Sequence, residues 1–509
     1  MGFLSDAIDK VIRGVRRGRA DLKSVVRSAL LFTPVWSVIT LLALLESMSF
    51  NDLPRLSFGL IVGLLSSSPF QVLGSRMVAD ARYLGVLSPV IGVLALLAVV
   101  YPPVPYLLSR LLSESFGLKL SHDVVLAAEL TGIVYTLTCM VAASWKEYRW
   151  KAVLQIVASW TAFSVAFAVL AAVTSDVLRS FVLSSSLLAI TLTASLVANA
   201  RKHLENPPEI TKEYLVGCLV VAAAAALDYF VIALSSIAYY AMMFFDKIVI
   251  WCGRGFPYPP LDVPASVGMV PLLAGTFAAG IFWIDVGDDL DRIYRVESRE
   301  LEEIGRRMFL QFIKGAGIAL ALSGVLALVT ASFVRPRFHY WMSGDVAYLL
   351  GPVLKASSAL IHAVSAVPVP PFGNLATLVK WIERQLAGAN PDLLVLYLLG
   401  SVPGALVVYT YPQLITFRRE IEATVALSLV PIAELLAWHR WGVKWLALGY
   451  LMGTCASATV CALTAVRMWL NLHTEAYRVL SYNNFVSYVI EVQRHGGEEV
   501  RPRDPTIRG

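Results

Sequence analysis

Charged residues are scarce in this sequence. Asp, Glu, Lys and Arg make up 15 % of the 509 residues, whereas an ordinary soluble domain carries about 25 %. Apolar and aromatic residues reach 57 % and collect in long runs that contain almost no charge. A water-soluble core of this size does not need so much apolar sequence, so the pattern predicts an all-α integral membrane protein that crosses the bilayer many times.

Cysteine and catalytic motifs are equally sparse. The five cysteines form no CxxC pair and no zinc-like spacing, and four of them lie in apolar runs, where a thiol acts as a small hydrophobe. The sequence contains no HExxH, no GxSxG, no P-loop and no GxGxxG followed by a strand. We therefore expect no disulfide, no metal, no cofactor and no enzymatic activity, and no ATP site to drive transport.

The basic residues sit mainly in short segments between the apolar runs. Despite a net charge of +6, this placement follows the positive-inside rule and does not indicate a nucleic-acid groove. Residues 1–25 combine apolar residues on one helical face with Lys and Arg, which predicts an amphipathic segment on an anionic cytoplasmic leaflet. The charge distribution places both termini in the cytoplasm and the protein in the cytoplasmic membrane.

Twelve runs are long enough to cross a bilayer. They are 26–48, 57–78, 86–109, 122–144, 150–173, 178–199, 213–240, 266–286, 308–333, 391–412, 421–439 and 441–468. This predicts two six-helix bundles, 26–199 and 213–468, joined by a cytoplasmic linker 200–212 and followed by a cytoplasmic tail 469–509. An external insertion, 334–390, interrupts the second bundle. Its stretch 345–367 is apolar enough to span, but a crossing there would place the following FRRE segment outside and break the charge rule.

Ionisable residues within the apolar runs are candidates for function because a charge in hydrocarbon is costly. Glu129 and Asp228 each stand alone in a run, so each either faces a cavity, where it binds a coupling ion, or is satisfied by a neighbouring helix. Asp246 and Lys247 are adjacent and therefore expected to reach separate partners. Glu434 is followed closely by His439 and Arg440, which favours a partner role near the membrane interface.

Several stretches resemble the PelG family of exopolysaccharide transporters. The second run carries a Pro-x-Gln, then Arg, Asp and Tyr, at Pro69, Gln71, Arg76, Asp80 and Tyr83. The stretch YYAMMFFDKIVIW is similar to the family's aromatic-rich Asp-Lys-x-x-x-Trp segment, and GTFAAGIFWIDVGDDLDRIYRV resembles its eighth helix. YTYPQLITFRREI resembles the exit from its tenth helix, except that Tyr-Pro stands where a Tyr and a nearby Asp are expected.

This resemblance implies the fold of the multidrug/oligosaccharidyl-lipid/polysaccharide (MOP) flippase superfamily, with two six-helix bundles around a central cavity. It implies export of a polysaccharide or lipid-linked glycan beside a glycosyltransferase and accessory membrane proteins. A cavity with few charges, lined by the serines at 66–68 and by aromatic rings, would suit a sugar, whose hydroxyl groups need hydrogen bonds and whose ring faces pack on aromatic side chains. The residues proposed for transport, from the resemblance and from their charge, are Gln71, Arg76, Asp80, Tyr83, Glu129, Asp228, Asp246, Lys247 and Trp251.

Three other functions fit the sequence. A cation-coupled multidrug efflux pump of the MATE type would use Asp228 or Glu129 to bind a proton or sodium. A non-transporting scaffold of a secretion complex would dock partners on the cytoplasmic helix 287–307. An intramembrane transfer enzyme would need a clustered carboxylate or metal site, which the sequence does not show.

Overall fold

The computed structural model describes residues 53–84, 88–116, 120–144, 150–201, 211–254, 259–293, 298–332 and 391–472. Within these ranges all regular structure is helical, and eleven helices are long and apolar enough to cross a membrane. This confirms the predicted all-α membrane fold. The predicted first span 26–48, the amphipathic segment 1–25, the insertion 334–390 and nearly all of the tail 469–509 lie outside the described residues.

The helices of the first half are α1 (Leu53–Leu84), α2 (Ser88–Val99), α3 (Pro103–Phe116), α4 (His122–Ala143), α5 (Trp150–Thr174) and α6 (Val177–Arg201). Two helices follow, α7 (Lys212–Asp228) and α8 (Phe230–Arg254). The remaining helices are α9 (Pro259–Gly268), α10 (Leu273–Ile293), α11 (Ser298–Ser332), α12 (Pro391–Thr416), α13 (Glu420–Trp441) and α14 (Leu446–Leu470).

The helices pack in two groups. In the first, α4 lies between α1 and α6, and α5 packs on α6. In the second, α12 contacts α10, α11 and α14, and α13 packs on α14. Among the described residues, the extensive packing between the two groups runs through α7, which lies on α2, and through α8, which contacts both α1 and α13.

The seventh predicted span differs from the structure. The sequence predicts one span over 213–240, but the chain forms two helices that are separated at Tyr229, where φ is −96° and ψ is 14°. A straight helix from Lys212 to Arg254 would measure about 65 Å, about twice the thickness of the hydrocarbon core. The break divides the run between two neighbours, since α7 packs on α2 and α8 on α1 and α13.

Proline accounts for local features of α1. Pro69 lies inside this helix and has no N–H to donate to the carbonyl oxygen of Leu65. The hydroxyl of Ser68 donates to that same oxygen at 2.9 Å and so replaces the missing backbone bond. Ser66 and Ser67 bond back to their own helix in the same way, to Gly63 and Leu64. Ser68 therefore satisfies the one carbonyl oxygen that Pro69 leaves without a backbone partner.

Glycine allows the closest helix contacts. An added methyl group at Gly275 of α10 would overlap the backbone oxygen of Ala405 on α12, and one at Gly63 of α1 would overlap that of Ala128 on α4. By contrast, a methyl group at Gly217 of α7 would meet no described atom within 4 Å. Small residues let membrane helices approach closely, so Gly275 and Gly63 set the spacing within their groups.

We expect Gly275→Ala to destabilise the protein. Because the extra methyl group must push α10 away from α12, the free energy of unfolding should fall by about 1–3 kcal/mol. Gly217→Ala is the matched control, since it adds the same methyl group to an open helix surface and should change stability by less than about 1 kcal/mol. Thermal unfolding of the detergent-purified protein measures both, and equal midpoints for the two variants would contradict the close contact.

Candidate functional site

The candidate site extends along α8. Residues 235, 236, 239 and 240 of this helix are two serines and two tyrosines at helical spacing, and Asp246, Lys247 and Trp251 follow further along. The first set lies where the two helix groups meet, and the second lies within the second group near the Arg254 end of α8. We call the first set, together with the residues it contacts on neighbouring helices, the seam. We call the second set, together with the acids it contacts, the acidic cluster.

On the side of the first group, the seam consists of direct hydrogen bonds between α8 and α1. The hydroxyl of Tyr240 donates to Oε1 of Gln71 at 2.6 Å. The amide nitrogen of Gln71 in turn donates to the hydroxyl of Ser67 at 2.9 Å. One turn earlier on α8, Ser236 donates to the carbonyl oxygen of Ser68 at 2.8 Å. Gln71 and Ser236 are buried, so these bonds form out of contact with solvent.

On the side of the second group, the seam contacts α12. The rings of Tyr239 and Tyr411 are stacked, with centroids 4.8 Å apart and an interplanar angle of 14°. The hydroxyl of Tyr411 lies 3.2 Å from that of Ser235, a hydrogen bond in which either oxygen can donate. Tyr239 also meets the ring of Tyr240 edge-on at 5.5 Å. The seam, Gln71, Ser235, Ser236, Tyr239, Tyr240 and Tyr411, therefore joins α1, α8 and α12 through hydroxyl, amide and ring contacts.

The acidic cluster begins with two ties between α8 and α9. Nζ of Lys247 donates to the hydroxyl of Ser266 at 2.7 Å, and the indole nitrogen of Trp251 donates to Asp262 at 2.9 Å. Lys247 is 9 % exposed, so the charge is buried with a polar partner. As predicted from their adjacency, Lys247 and Asp246 reach different side chains.

Asp246 turns towards α13 and α12. It is 1 % exposed and interacts electrostatically with Glu434 of α13, which is 0 % exposed. Tyr397 and Tyr450 pack beside the two acids, with ring centroids 5.3 Å apart. Glu434 is fully buried within the protein and lies near Asp246, in the same helix as His439 and Arg440 of the last turn. Its predicted role as a partner near the membrane interface stays a prediction.

Hydrogen bonding leaves these acids under-satisfied. Within the described part of the chain, Oδ2 of Asp246 and both carboxylate oxygens of Glu434 have no hydrogen-bond partner. Lys247 interacts with Asp246 and with Asp262 of α9, whereas Glu434 interacts with Asp246. With one lysine for these carboxylates, full ionisation of Asp246 and Glu434 would leave an uncompensated negative charge away from water. A proton or a monovalent cation would offset that charge. No group of three or more His, Cys, Asp or Glu residues with metal-binding geometry occurs among the described residues.

The other predicted site residues are distributed over three helices, α1, α4 and α7. Arg76 is half-buried on α1, and Glu129 is half-buried on α4. Asp80 and Tyr83 lie in the last turns of α1 and Asp228 ends α7, but their side chains are outside the described set. The structure thus brings together Asp246, Lys247 and Trp251 in one cluster and places Gln71 separately in the seam.

Sequence reasoning missed the two inner tyrosine pairs. Tyr239 and Tyr411 form the stacked contact of the seam, and Tyr397 and Tyr450 flank the acids. A tyrosine in an apolar run has the same local signature as an ordinary core aromatic, so only the tertiary contacts identify these four. The serines at 235 and 236, placed one turn before the tyrosines, were the available signal.

The described residues thus form an all-α, multi-pass membrane protein with a polar seam between two helix groups. No family model matches the sequence, and no curated protein matches it. The chain is similar in structure to the eukaryotic MATE transporter AtDTX14 (TM-score 0.47, 12 % identity, covering 90 % of this chain and 98 % of that chain). It is also similar to a mutant of the Vibrio cholerae MATE transporter VcmN (TM-score 0.49, 12 % identity, covering 89 % of this chain and 100 % of that chain). A third similar structure is the MATE transporter ClbM in complex with Rb⁺ (TM-score 0.46, 13 % identity, covering 90 % of this chain and 97 % of that chain).

We expect Glu434→Gln to raise the thermal midpoint of the purified protein. The amide has nearly the same volume, and burying it away from water costs less than burying a carboxylate beside Asp246. Glu434→Ala should lower the free energy of unfolding by about 2 kcal/mol or more, because it leaves a cavity. Glu114→Gln is the control, since Glu114 is exposed and pairs with Arg110 at 3.0 Å. Equal losses in the Gln and Ala variants would mean that the charge of Glu434 is compensated.

Proposed function

We propose that this protein exports a polysaccharide or lipid-linked glycan across the cytoplasmic membrane by alternating access. The observation that carries the proposal is the seam, where uncharged polar groups and stacked rings occupy the contact between the two helix groups. The proposal places both termini in the cytoplasm and a glycosyltransferase with accessory membrane proteins beside the exporter.

The chemistry of the seam matches that of a sugar. A sugar offers hydroxyl groups that need hydrogen-bond partners and ring faces that pack on aromatic side chains. The amide of Gln71 and the hydroxyls of Tyr240 and Ser235 supply partners of both kinds. The stacked rings of Tyr239 and Tyr411 supply flat apolar faces. The seam itself contains no ionic side chain, so an uncharged glycan would meet no unpaired charge there.

Alternating access requires contacts between the groups that break and re-form. The bonds between α1 and α8 are single hydrogen bonds, from Tyr240 to Gln71 and from Ser236 to the backbone of Ser68. Bonds of this kind between membrane helices contribute about 0.6 kcal/mol each on average. The glycine contacts within each group are closer and leave no room for sliding. The seam is therefore the plane at which the molecule would open.

A cation-coupled efflux pump is the second candidate function. The observation that favours it is the buried pair Asp246 and Glu434, whose charge calls for a proton or cation. The sequence hypothesis assigned this role to Asp228 or Glu129, and the acidic cluster is the better-supported position. The same pair would serve as the coupling site of a glycan exporter, so the transported substrate distinguishes the two functions.

In cells that lack this protein, we expect surface polysaccharide to disappear and intracellular glycan to accumulate. Wild type should restore export, whereas Asp246→Asn and Arg76→Ala should impair it while the amount of protein in the membrane fraction stays unchanged. Surface and intracellular glycan are quantified in parallel. Normal export by either variant would remove that residue from the site. Unchanged surface glycan in the deletion strain would contradict the glycan role and favour efflux of small molecules, measured as sodium- or proton-dependent drug resistance.

We expect Tyr239→Ala to reduce glycan export about three- to tenfold, because it removes a ring contact worth about 0.5–1.5 kcal/mol. Tyr239→Phe keeps the ring and should retain most of the activity. Phe230→Ala is the matched control on the same helix, since Phe230 is 57 % exposed on the outer surface. Export is measured per amount of protein in the membrane. Equal losses in the Ala and Phe variants would contradict a stacking role for Tyr239.

A further inference from the structure

The outer face of α11 combines an exposed charge with an open groove. Ile304, Met308 and Phe312 are buried against the second group. The opposite face carries Leu310 and Ile313, which are 60 % and 48 % exposed. Lys314 belongs to that exposed face and follows Ile313 directly. The face is therefore directed away from the described helices of the second group.

Lys314 is a cation inside an apolar stretch. The beginning of α11 is too highly charged to lie in hydrocarbon, since it carries Glu302, Glu303, Arg306 and Arg307. Lys314 follows two turns later, about 10 Å along the helix axis. Helical side chains tilt towards the N-terminus, so the ammonium group of Lys314 is directed back towards the charged beginning of α11. Among the described residues, no carboxylate lies within ion-pair distance of Lys314. An exposed lysine close to the charged beginning of a membrane helix suits an anionic lipid headgroup as its partner.

Beyond Lys314 no described residue covers the same face. An added methyl group at Gly317 or at Gly324 would meet no described atom within 4 Å, and Ala321 lies between them on the exposed side. The three small residues leave a shallow groove that continues from the ammonium group along the helix axis. A second copy of this chain, packed symmetrically on the groove, would bring two Lys314 side chains together, which disfavours that occupant.

We propose that this face of α11 binds an anionic phospholipid. The headgroup phosphate pairs with Lys314, and an acyl chain lies in the groove over Gly317, Ala321 and Gly324. Charge complementarity identifies the headgroup, and the open surface next to the charge identifies the chain. The site lies on the outside of the second group, away from the seam and the acidic cluster, and is independent of what the protein transports.

The test is native mass spectrometry of the full-length protein released from detergent with added dioleoyl phosphatidylglycerol or dioleoyl phosphatidylcholine. Wild type should retain phosphatidylglycerol over phosphatidylcholine. Lys314→Gln should weaken retention of phosphatidylglycerol about fivefold, which corresponds to one basic contact with an anionic lipid. Lys314→Arg should restore it. Gly317→Leu, which fills the groove, should weaken retention of both lipids.

Lys151→Gln is the matched control, because Lys151 is an exposed lysine at the beginning of α5. It should bind phosphatidylglycerol as wild type does. Full retention by Lys314→Gln would overturn the proposal, as would an equal loss in Lys151→Gln. Equal binding of glycerol 3-phosphate, tested without lipid, would show a site for a free anion and not for a lipid. A wild-type dimer that Gly317→Leu converts to a monomer would assign the groove to a second copy.

Discussion

One helix, α8, packs against both helix groups, and the properties of the candidate site depend on that position. Its Ser236 and Tyr240 bond to α1, while Ser235 and Tyr239 contact α12. In lipid there is no hydrophobic force between helices, so packing and hydrogen bonds must hold such a contact together. Two interhelical bonds to α1 contribute about 1–2 kcal/mol. That is comparable with the free-energy difference between two populated conformations, so these bonds can hold α8 against α1 and still break in a change of conformation.

The acidic cluster acts on the same helix with a larger energy. Leaving a buried charge without its counter-charge costs about 3–5 kcal/mol, which exceeds the contribution of the hydrogen bonds between α1 and α8. Asp246 lies ten residues beyond Ser236, about 15 Å along a continuous helix. On the proposed function, binding of a proton or cation at the acidic cluster therefore affects the position of α8 more strongly than the seam does. The hydrogen bonds of the seam are the contacts that break when α8 moves. Glu434 provides the second carboxylate from α13, so the charge state also changes the contact between α8 and the second group.

The sequence predicted the membrane fold because hydropathy is a local property. Each predicted span from 57–78 onwards falls on observed helices, and Asp246 was identified because a charge in an apolar run is conspicuous by itself. The break at Tyr229 was not predicted, because it depends on which neighbour each half of the run contacts. The burial of Glu434 beside Asp246 was not predicted for a related reason, since His439 and Arg440 mark the end of α13 but do not show which helices pack on its interior. The tyrosines of the seam carry no local signal that separates them from core aromatics.

Two glycines on α11 show how the same residue type serves different surroundings. At Gly315 an added methyl group would overlap the hydroxyl of Tyr409, which donates to the backbone oxygen of Phe312 at 3.0 Å. That glycine is explained by the packing of α12 on α11. Two residues later, Gly317 faces open space, so no helix of the described chain requires its small size. Glycine weakens a helix by about 0.5–1 kcal/mol relative to alanine, and on the proposed lipid site the glycine leaves room for the acyl chain.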